Sequence, residues 1–581
     1  MVEDGGSLAA VADPCRLDPR RTLRVATARR CLIPSKAVKL AAIDIGTNSI
    51  HLVVVEFDGR TFHVIDREKS MVRLGLGMFG EMRLTDRAFN EGVEVLSRYT
   101  KLAESRGVDE ILAVATSATR EAENGTEFLN ATFQRTGVMP RVISGSEEAR
   151  LIFLAVKHSI DLGGERGLVI DIGGGSVEVA VGNHHEVLLA QSMRLGVQRL
   201  MHRQGGAQPL GTRELYELSG YVQGAAAEVM AEAKRFGATK FIGTSGTIRT
   251  LGEGAHLLAG GAPFRSLNAQ SVKRRDLKEL VKRLCEADAP KRAKMPGIGE
   301  ARADNIHLGG VLLCELLEMA KAEELTLCDT SLREGVIWDY IERRGVDVVP
   351  HRLVSDPRRR SVVELMRKFD RDDPRELHIA ILALSLFDQT QELHGYGAPE
   401  RELLEYASLL HGIGRHIDFE NRERHSRYII ENSSLRGFTD DEIELLGLIA
   451  RFHRGSKPKA KSKSMRNLSK QDQGRVILLS AFLRLAVALD RGHSQLVRRL
   501  HVEERGKELR IVIDGPGDLL LELWAGRGKL EPLAKALERS IMLERVALAP
   551  SAALDHHSDS FPPADTEGGK AALGPSIVHR A

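Results

Sequence analysis

The chain contains 581 residues, of which 42% are hydrophobic and 28% are charged, and this length and composition predict about three or four folded domains. Its 83 Lys and Arg residues against 80 Asp and Glu residues leave a formal net charge of +3, and only 4% of residues are aromatic, which excludes a protein that coats nucleic acid along its whole surface. The five cysteines are widely spaced without a CxxC pair, which excludes a disulfide framework or a zinc module and favours the reducing cytoplasm.

The N-terminal half alternates predicted strands with predicted helices. Residues 1–37 carry scattered proline and arginine without hydrophobic periodicity, and we expect a disordered leader there. Segments 38–45 and 51–57 are rich in β-branched residues and predict two strands, and Thr85 is the predicted N-cap of the next helix. The same alternation continues to Gly345, which predicts an α/β fold.

The C-terminal half has the apolar periodicity of helices. Its most apolar stretch, residues 476–489, is interrupted by serine and arginine, so we predict a buried helix and no transmembrane segment. A small α+β unit is predicted to follow, with strands near residues 500–502, 509–513 and 519–523, a helix near 530–538 and a disordered tail over 549–581.

Two six-residue segments of the α/β region resemble each other. Asp44-Ile-Gly-Thr-Asn-Ser49 and Asp171-Ile-Gly-Gly-Gly-Ser176 each follow an apolar strand and precede a second strand. This repeat predicts two similar lobes that face each other across a cleft, each contributing one hairpin. A third segment, Ile242-Gly-Thr-Ser-Gly-Thr247, predicts another Gly/Ser/Thr turn at the end of a strand.

The composition of these turns favours phosphate binding. Glycines allow backbone amides to approach an anion closely, and the Ser and Thr hydroxyls add donors. An aspartate beside phosphate requires a cation or a water molecule between the two negative charges. Each segment alone is more typical of an ordinary hairpin turn, because Asp and Gly are common turn residues, but the recurrence favours the binding interpretation. A dinucleotide site and a P-loop are excluded because no helix follows the glycines of residues 173–175 and no Gly-Lys-Ser/Thr occurs.

Three further side chains are candidates for acid–base or clamping roles. Ser146 is the predicted N-cap of a helix, which places Glu148 in its first turn, where it would either complement the helix dipole or accept a proton from water. Glu178 shares a strand face with Ser176 and therefore points toward the predicted cleft. Arg120 follows a predicted strand and is either a phosphate clamp or a surface arginine.

The ordered motifs resemble one known family. They read Asp-Ile-Gly-Thr-Asn-Ser, Ala-Thr-Ser-Ala-Thr-Arg, Ile-Ser-Gly-Ser-Glu-Glu-Ala-Arg, Val-Ile-Asp-Ile-Gly-Gly-Gly-Ser-Val-Glu, Gly-Thr-Ser-Gly-Thr and Ser-Leu-Arg-Glu-Gly-Val. Together they are similar to the exopolyphosphatase and guanosine pentaphosphate phosphohydrolase family of the actin-like ATPase and sugar-kinase superfamily. The resemblance is strong over residues 40–340 and looser beyond them.

The resemblance implies an α/β fold of two actin-like (ribonuclease H-like) lobes around a cleft, followed by an all-α HD-like domain and a small α+β unit. The implied segments are 1–37 as leader, 38–150 and 151–346 as the two lobes, 347–497 as the helical domain, 498–548 as the α+β unit and 549–581 as tail.

The resemblance also implies site roles. Glu148 would activate water, and Arg120 would be a second catalytic residue that holds phosphate. Asp171, Glu178 and Asp44 would hold Mg²⁺, and a monovalent cation such as K⁺ is a further candidate cofactor. Phosphate would be bound by Asn48, Ser49, Gly173, Gly174, Gly175, Ser176, Ser245, Gly246 and Thr247.

The helical region resembles an HD-type phosphohydrolase. His378, His411, His425, His453 and Asp490 lie at plausible ligand positions. Gly412 stands where the motif requires aspartate, so we expect core histidines rather than an active second metal site.

The function implied is Mg²⁺-dependent, processive hydrolysis of the terminal phosphoanhydride of inorganic polyphosphate by a cytoplasmic homodimer. The alternatives are a guanosine pentaphosphate 5′-phosphohydrolase and a non-catalytic regulator that binds such nucleotides. Eight Lys or Arg residues and no acid lie between Arg451 and Lys470, and with Arg358–Arg360 they are either solvated or a track for the polyanion.

Overall fold

The computed structural model describes residues 38–57, 62–205, 209–343, 356–370, 374–418 and 420–545. The predicted leader and the predicted tail lie outside these ranges. Among the described residues, no helix is both long enough and apolar enough to cross a membrane.

The first sheet has five strands in the order β3-β2-β1-β4-β5. β1 and β2 form the predicted antiparallel hairpin, and β1 runs parallel to β4. The strands are β1 Val38–Ile45, β2 Ile50–Phe57, β3 Phe62–Ser70, β4 Glu110–Ala115 and β5 Arg141–Val142.

The second sheet has six strands in the order β10-β11-β9-β6-β7-β8 and repeats the topology of the first. β6 and β7 again form an antiparallel hairpin, and β6 again pairs with a parallel strand, β9. The strands are β6 Gly167–Ile172, β7 Val177–Gly182, β8 Val187–Met193, β9 Lys240–Thr244, β10 Ser271–Lys273 and β11 Glu324–Leu327.

Helices cover both sheets, which gives the predicted α/β fold with two actin-like lobes. Gly335 of α12 allows this helix to approach α5 closely, because a Cβ atom at this position would lie 2.0 Å from the Leu151 carbonyl oxygen. The helices are α1 Met78–Glu81, α2 Asp86–Ser105, α3 Ser117–Glu121, α4 Gly125–Thr136, α5 Gly145–Lys157, α6 Val197–Arg203, α7 Thr212–Arg235, α8 Ser245–Leu258, α9 Arg274–Glu286, α10 Ala289–Ala293, α11 Ile306–Ala320 and α12 Leu332–Arg343.

The remaining described residues form a helical region and a three-stranded sheet of order β12-β13-β14, and these share one apolar core. The helices are α13 Pro357–Asp370, α14 Pro374–Gln389, α15 Gln391–His394, α16 Ala398–Leu410, α17 Arg422–Glu431, α18 Asp440–Arg451, α19 Lys470–Ala488, α20 Leu520–Arg527 and α21 Leu530–Leu537. The strands are β12 Arg499–Arg505, β13 Glu508–Asp514 and β14 Ser540–Arg545.

The strand predicted at residues 519–523 is wrong, because these residues open α20. Leu519 and Leu523 are buried while Leu520 and Leu521 are exposed, and this spacing of four residues is that of one helical face. The third strand of the sheet is β14, which pairs in parallel with β13.

Two predicted helix N-caps have different outcomes. Thr85 caps α2 as predicted, since its side chain accepts a hydrogen bond from the Ala88 amide. The predicted cap at Ser146 is wrong, because the Ser144 hydroxyl accepts the hydrogen bond from the Glu147 amide. Glu148 nevertheless lies in the first turn of α5, as predicted.

Candidate active site

A cleft of about 190 Å³ lies between the two sheets. It brings together all the predicted site residues except Arg120. Arg120 contacts Glu148, which lines the cleft. Its lining includes Asp44, Asn48, Ser49, Glu148, Asp171, Gly173, Gly174, Gly175, Ser176, Glu178, Ser245, Gly246 and Thr247.

The β1–β2 and β6–β7 hairpins present equivalent rows of side chains to the cleft. In the second lobe, Asp171 is paired with Glu178 across the hairpin, and Glu178 is paired with Ser192 on β8. Directly opposed residues of antiparallel strands carry their side chains on the same face of the sheet. The register therefore places the carboxyl groups of Asp171 and Glu178 side by side. The alternation of residues in β7 had predicted that Glu178 faces the cleft.

The two hairpin turns meet each other in the cleft. A Cβ atom at Gly174 would lie 3.0 Å from the Asn48 side chain, and one at Gly175 would lie 2.8 Å from the Thr47 hydroxyl oxygen. The amides of α6 bond to the same turn, since the Gln198 amide donates to the Gly174 carbonyl at 2.8 Å. These glycines are thus required by close contact of the lobes in addition to any approach to an anion.

Glu148 is a buried residue of the cleft lining and interacts with Arg120. Its Oε2 lies 3.2 Å from Nη1 of Arg120, whose guanidinium also donates to the Ile143 carbonyl at 2.7 Å. Burial, followed by the negative charge of Glu178, raises the pKa of Glu148 well above its usual range, although Arg120 opposes this rise. A carboxylate with a raised pKa is a stronger proton acceptor near neutral pH.

Three more carboxyl groups share this environment, and we call them with Glu148 the carboxylate cluster. Burial raises the pKa of Asp44 to about 6 and that of Glu178 to about 7, the latter despite a 2.7 Å hydrogen bond from the Ser192 hydroxyl. Burial together with the charges of Glu178 and Asp44 raises the pKa of Asp171 well above its usual range. A cation bound among these groups would relieve their mutual repulsion.

The donor set fits a Mg²⁺ ion that is completed by substrate. Among the residues that the structure describes, no three His, Cys, Asp or Glu side chains converge closely enough to hold a metal ion by themselves. Mg²⁺ is commonly held by one or two carboxylates together with water and phosphate oxygens. Asp44, Asp171 and Glu178 provide carboxylates of this kind beside Ser and Gly residues suited to phosphate.

A cluster of cations lines the same cleft and was not predicted from the sequence. It consists of Lys69, Arg249, Arg302 and Arg333, and we call it the cationic cluster. Burial, with a contribution from Arg249, lowers the pKa of Arg302 to about 10, and burial with the three arginines lowers the pKa of Lys69. The members come from distant parts of the chain, and only Arg333 lies within a recognisable motif.

The prediction of a turn in the third Gly/Ser/Thr segment is wrong, because residues 245–247 form the start of α8. Ser245 is its first residue, with a φ of 83°, and Gly246 lies against the cationic cluster. A Cβ atom at Gly246 would lie 1.9 Å from Nη2 of Arg302, so any other residue here would displace the Arg302 guanidinium. The N-terminus of a helix of this length directs free amides into the cleft and favours an anion there.

The helical region contains a compact ion-pair network where the HD-like ligands were expected. Nδ1 of His411 lies 2.9 Å from Glu376, and Arg415 contacts the other oxygen of Glu376 at 2.7 Å. A Cβ atom at Gly412 would lie 2.3 Å from that oxygen, so the space for a ligating aspartate is filled.

Among the residues that the structure describes, the other expected ligands do not form a group that could bind a metal ion. Arg375 pairs with Asp490 at 2.9 Å, and Nδ1 of His453 donates a hydrogen bond to the Ala450 carbonyl oxygen at 2.6 Å. His378 and His425 are partly buried on α14 and α17. Guanidinium groups thus neutralise these carboxylates, and the relationship to HD-type proteins stays a prediction.

The two parts of the proposed polyanion track have different surroundings. Arg358 pairs with Glu442 at 2.9 Å, Arg359 pairs with Glu405 at 2.6 Å and Arg360 is buried beside His158. The expectation that Arg358–Arg360 extend the track is therefore wrong. The loop that follows α18 keeps most of its lysines exposed, so its binding role stays a prediction.

Comparisons with known proteins identify two family regions in the chain. The model of the Ppx/GppA phosphatase family matches residues 53–344, and the model of Ppx/GppA phosphatase domain III matches residues 358–521. The crystal structure of an exopolyphosphatase from Cytophaga hutchinsonii is 27% identical, with 53% of this chain and 99% of that chain covered and a TM-score of 0.50. The Aquifex aeolicus member of the Ppx/GppA family is 26% identical over 53% of this chain and 99% of that chain, with a TM-score of 0.47.

Proposed function

Because the chain belongs to the Ppx/GppA phosphatase family, we propose that it is an exopolyphosphatase that releases orthophosphate processively from the end of inorganic polyphosphate. The observation that carries this proposal is one cleft that holds the carboxylate cluster next to the cationic cluster. The carboxylate cluster can bind a metal ion and supply a general base, and the cationic cluster can bind the negative charge of a phosphate chain.

Glu148 acts as the general base in this proposal. The oxygen of a water molecule attacks the terminal phosphorus, and Glu148 accepts the proton that this water loses. The bond from the terminal phosphorus to the bridging oxygen breaks, so orthophosphate leaves and the shortened chain keeps the bridging oxygen. Arg120, 3.2 Å from Glu148, orients the carboxylate.

The remaining site residues bind and orient the chain. One or two carboxylates from Asp44, Asp171 and Glu178 would hold Mg²⁺ together with phosphate oxygens, and the bound ion would neutralise charge on those oxygens. The amides at the start of α8 and the cationic cluster would hold the penultimate phosphates. Catalysis then consists of positioning and charge neutralisation, as in other transfers of phosphoryl groups.

A second cavity favours guanosine pentaphosphate as the other candidate substrate. It has a volume of about 810 Å³, lies between α8 and the helical region, and shares Arg249 and Asp329 with the cleft. Oδ1 of Asp329 is buried and accepts no hydrogen bond from the described residues, and Phe264 lines the same cavity. A carboxylate and an aromatic ring are suited to the N–H groups and the face of a purine base.

Orthophosphate release from long-chain polyphosphate and from guanosine pentaphosphate, each with and without Mg²⁺, tests the proposal. We expect Mg²⁺-dependent turnover with polyphosphate preferred, and Glu148→Gln should lower kcat by about 10²- to 10⁴-fold. Glu147→Gln is the matched control, since Glu147 pairs with Arg150 at 2.8 Å in the same helical turn. Preference for the nucleotide would select the second candidate, and unchanged turnover in Glu148→Gln would exclude Glu148 as the base.

A further inference from the structure

His51 is the first-lobe counterpart of Glu178. His51 is paired with Asp44 across the β1–β2 hairpin, as Glu178 is paired with Asp171 across the β6–β7 hairpin. In each lobe the next strand continues this row of paired residues, since Lys69 on β3 is paired with His51 and Ser192 on β8 is paired with Glu178. The internal repeat therefore places a histidine in the cleft at the position where the other lobe has a carboxylate.

Both nitrogens of the His51 ring are engaged. Nδ1 lies 2.7 Å from Nη1 of Arg333, and Nε2 lies 2.7 Å from the Ser49 hydroxyl oxygen. Arg333 comes from the first turn of α12, whereas Ser49 closes the turn of the β1–β2 hairpin. The ring thus connects the phosphate-binding turn to the cationic cluster.

The chemistry of arginine determines the tautomer. A guanidinium group has only donors, so the contact with Arg333 requires Nδ1 to be an acceptor without a proton. A neutral ring of this form carries its proton on Nε2 and donates it to Ser49. The Ser49 oxygen is then an acceptor toward His51, and its own hydrogen is available for a partner in the cleft.

We propose that His51 is a positioning residue that orients the Ser49 hydroxyl so that it donates a hydrogen bond to a bound phosphate. This inference rests on the proposed function, since it assumes that phosphate binds at the first hairpin turn. It assigns no proton transfer to His51, because both ring nitrogens already have partners.

A double-mutant cycle on polyphosphate hydrolysis tests the coupling. His51→Phe keeps a planar ring but removes both hydrogen bonds, and Ser49→Ala removes the hydroxyl. Each change should lower kcat/KM by about 10- to 100-fold, the range for one hydrogen bond to a charged group. The double variant should be no worse than Ser49→Ala, because His51 acts through Ser49. Losses that multiply would overturn the proposal.

A conservative variant separates positioning from a merely structural role. His51→Gln offers one acceptor to Arg333 and one donor to Ser49, so it should recover most of the activity lost in His51→Phe. That recovery should disappear when Ser49 is also replaced by Ala. If His51→Gln behaves like His51→Phe while both unfold at the wild-type temperature, the hydrogen-bond relay is refuted.

A spectroscopic measurement tests the tautomer without any activity. In protein with ¹⁵N-labelled histidine, the His51 resonances are those absent from His51→Gln. At neutral pH they should show a protonated Nε2 and an unprotonated Nδ1. A proton on Nδ1 would refute the inference even if the enzyme hydrolyses polyphosphate, and absence of hydrolysis with the expected tautomer would refute the proposed function instead.

Discussion

Replacing Asp44 by asparagine should stabilise the metal-free protein. Asp44 lies at the end of β1, and burial raises its pKa from an ordinary value of 3.8 to about 6, with Arg333 opposing and Glu334 adding to the rise. At about 1.4 kcal/mol per pH unit, ionising this carboxyl in the folded state costs about 3 kcal/mol relative to the unfolded state. Asparagine keeps the shape of the side chain and removes the charge.

The pH dependence of this effect follows from the sign of the shift. Between about pH 4 and pH 6 the folded protein holds the Asp44 proton more strongly than the unfolded chain, so the free energy of unfolding falls as the pH rises. Above about pH 6 the full cost is present, and below about pH 4 it is absent. The advantage of Asp44→Asn should therefore be largest at pH 8 and nearly absent at pH 4.

Thermal unfolding in EDTA at pH 4, 6 and 8 measures this prediction. Asp86→Asn is the matched control, since Asp86 is exposed in the first turn of α2, outside the carboxylate cluster. Adding Mg²⁺ should stabilise the wild type at pH 8 more than at pH 4. If Asp44→Asn is less stable than the wild type at pH 8, or its effect is independent of pH, the electrostatic reasoning is wrong.

Three other changes give separate expectations. Gly175→Ala places a Cβ atom 2.4 Å from the Ser117 hydroxyl oxygen, so it should force the lobes apart and lower kcat at least about 10-fold, whereas Gly220→Ala, with open space around it, should not. Gly412→Asp crowds and repels a neighbouring carboxylate, so it should lower the unfolding temperature without creating Mn²⁺ binding; tight Mn²⁺ binding in a titration would contradict this. Replacing the four lysines of residues 457–463 by alanine should raise KM for long polyphosphate more than for short chains, and an equal effect would exclude a chain-length role.

The hairpin turns of the cleft could be predicted from the sequence because their signals are local. Each has an apolar strand, an aspartate, small turn residues and a returning strand within about 20 residues, and the two copies support each other. The position of Glu148 in a first helical turn was equally local, although its N-cap is Ser144 and not Ser146. Alternating side chains also placed Glu178 toward the cleft.

Errors in the predictions arose where burial decides between local alternatives. The apolar residues 519–523 fit a strand or a helix, and only the core beneath Leu519 and Leu523 selects the helix. Arg358–Arg360 have the composition of a binding surface, but Glu402, Glu405 and Glu442 are brought to them by folding. A charge pattern along the chain does not reveal partners from other helices.

The sequence by itself determined the two-lobed architecture and the acidic, glycine-rich turns, because strand period and turn composition are properties of neighbouring residues and the internal repeat can be read from the sequence. Only the tertiary structure assembled the cationic cluster of Lys69, Arg249, Arg302 and Arg333 and joined His51 to both Ser49 and Arg333. These residues lie up to 282 positions apart, and their charges influence one another because folding brings them into one cleft. The chemistry of the site therefore depends on distances that no local pattern encodes.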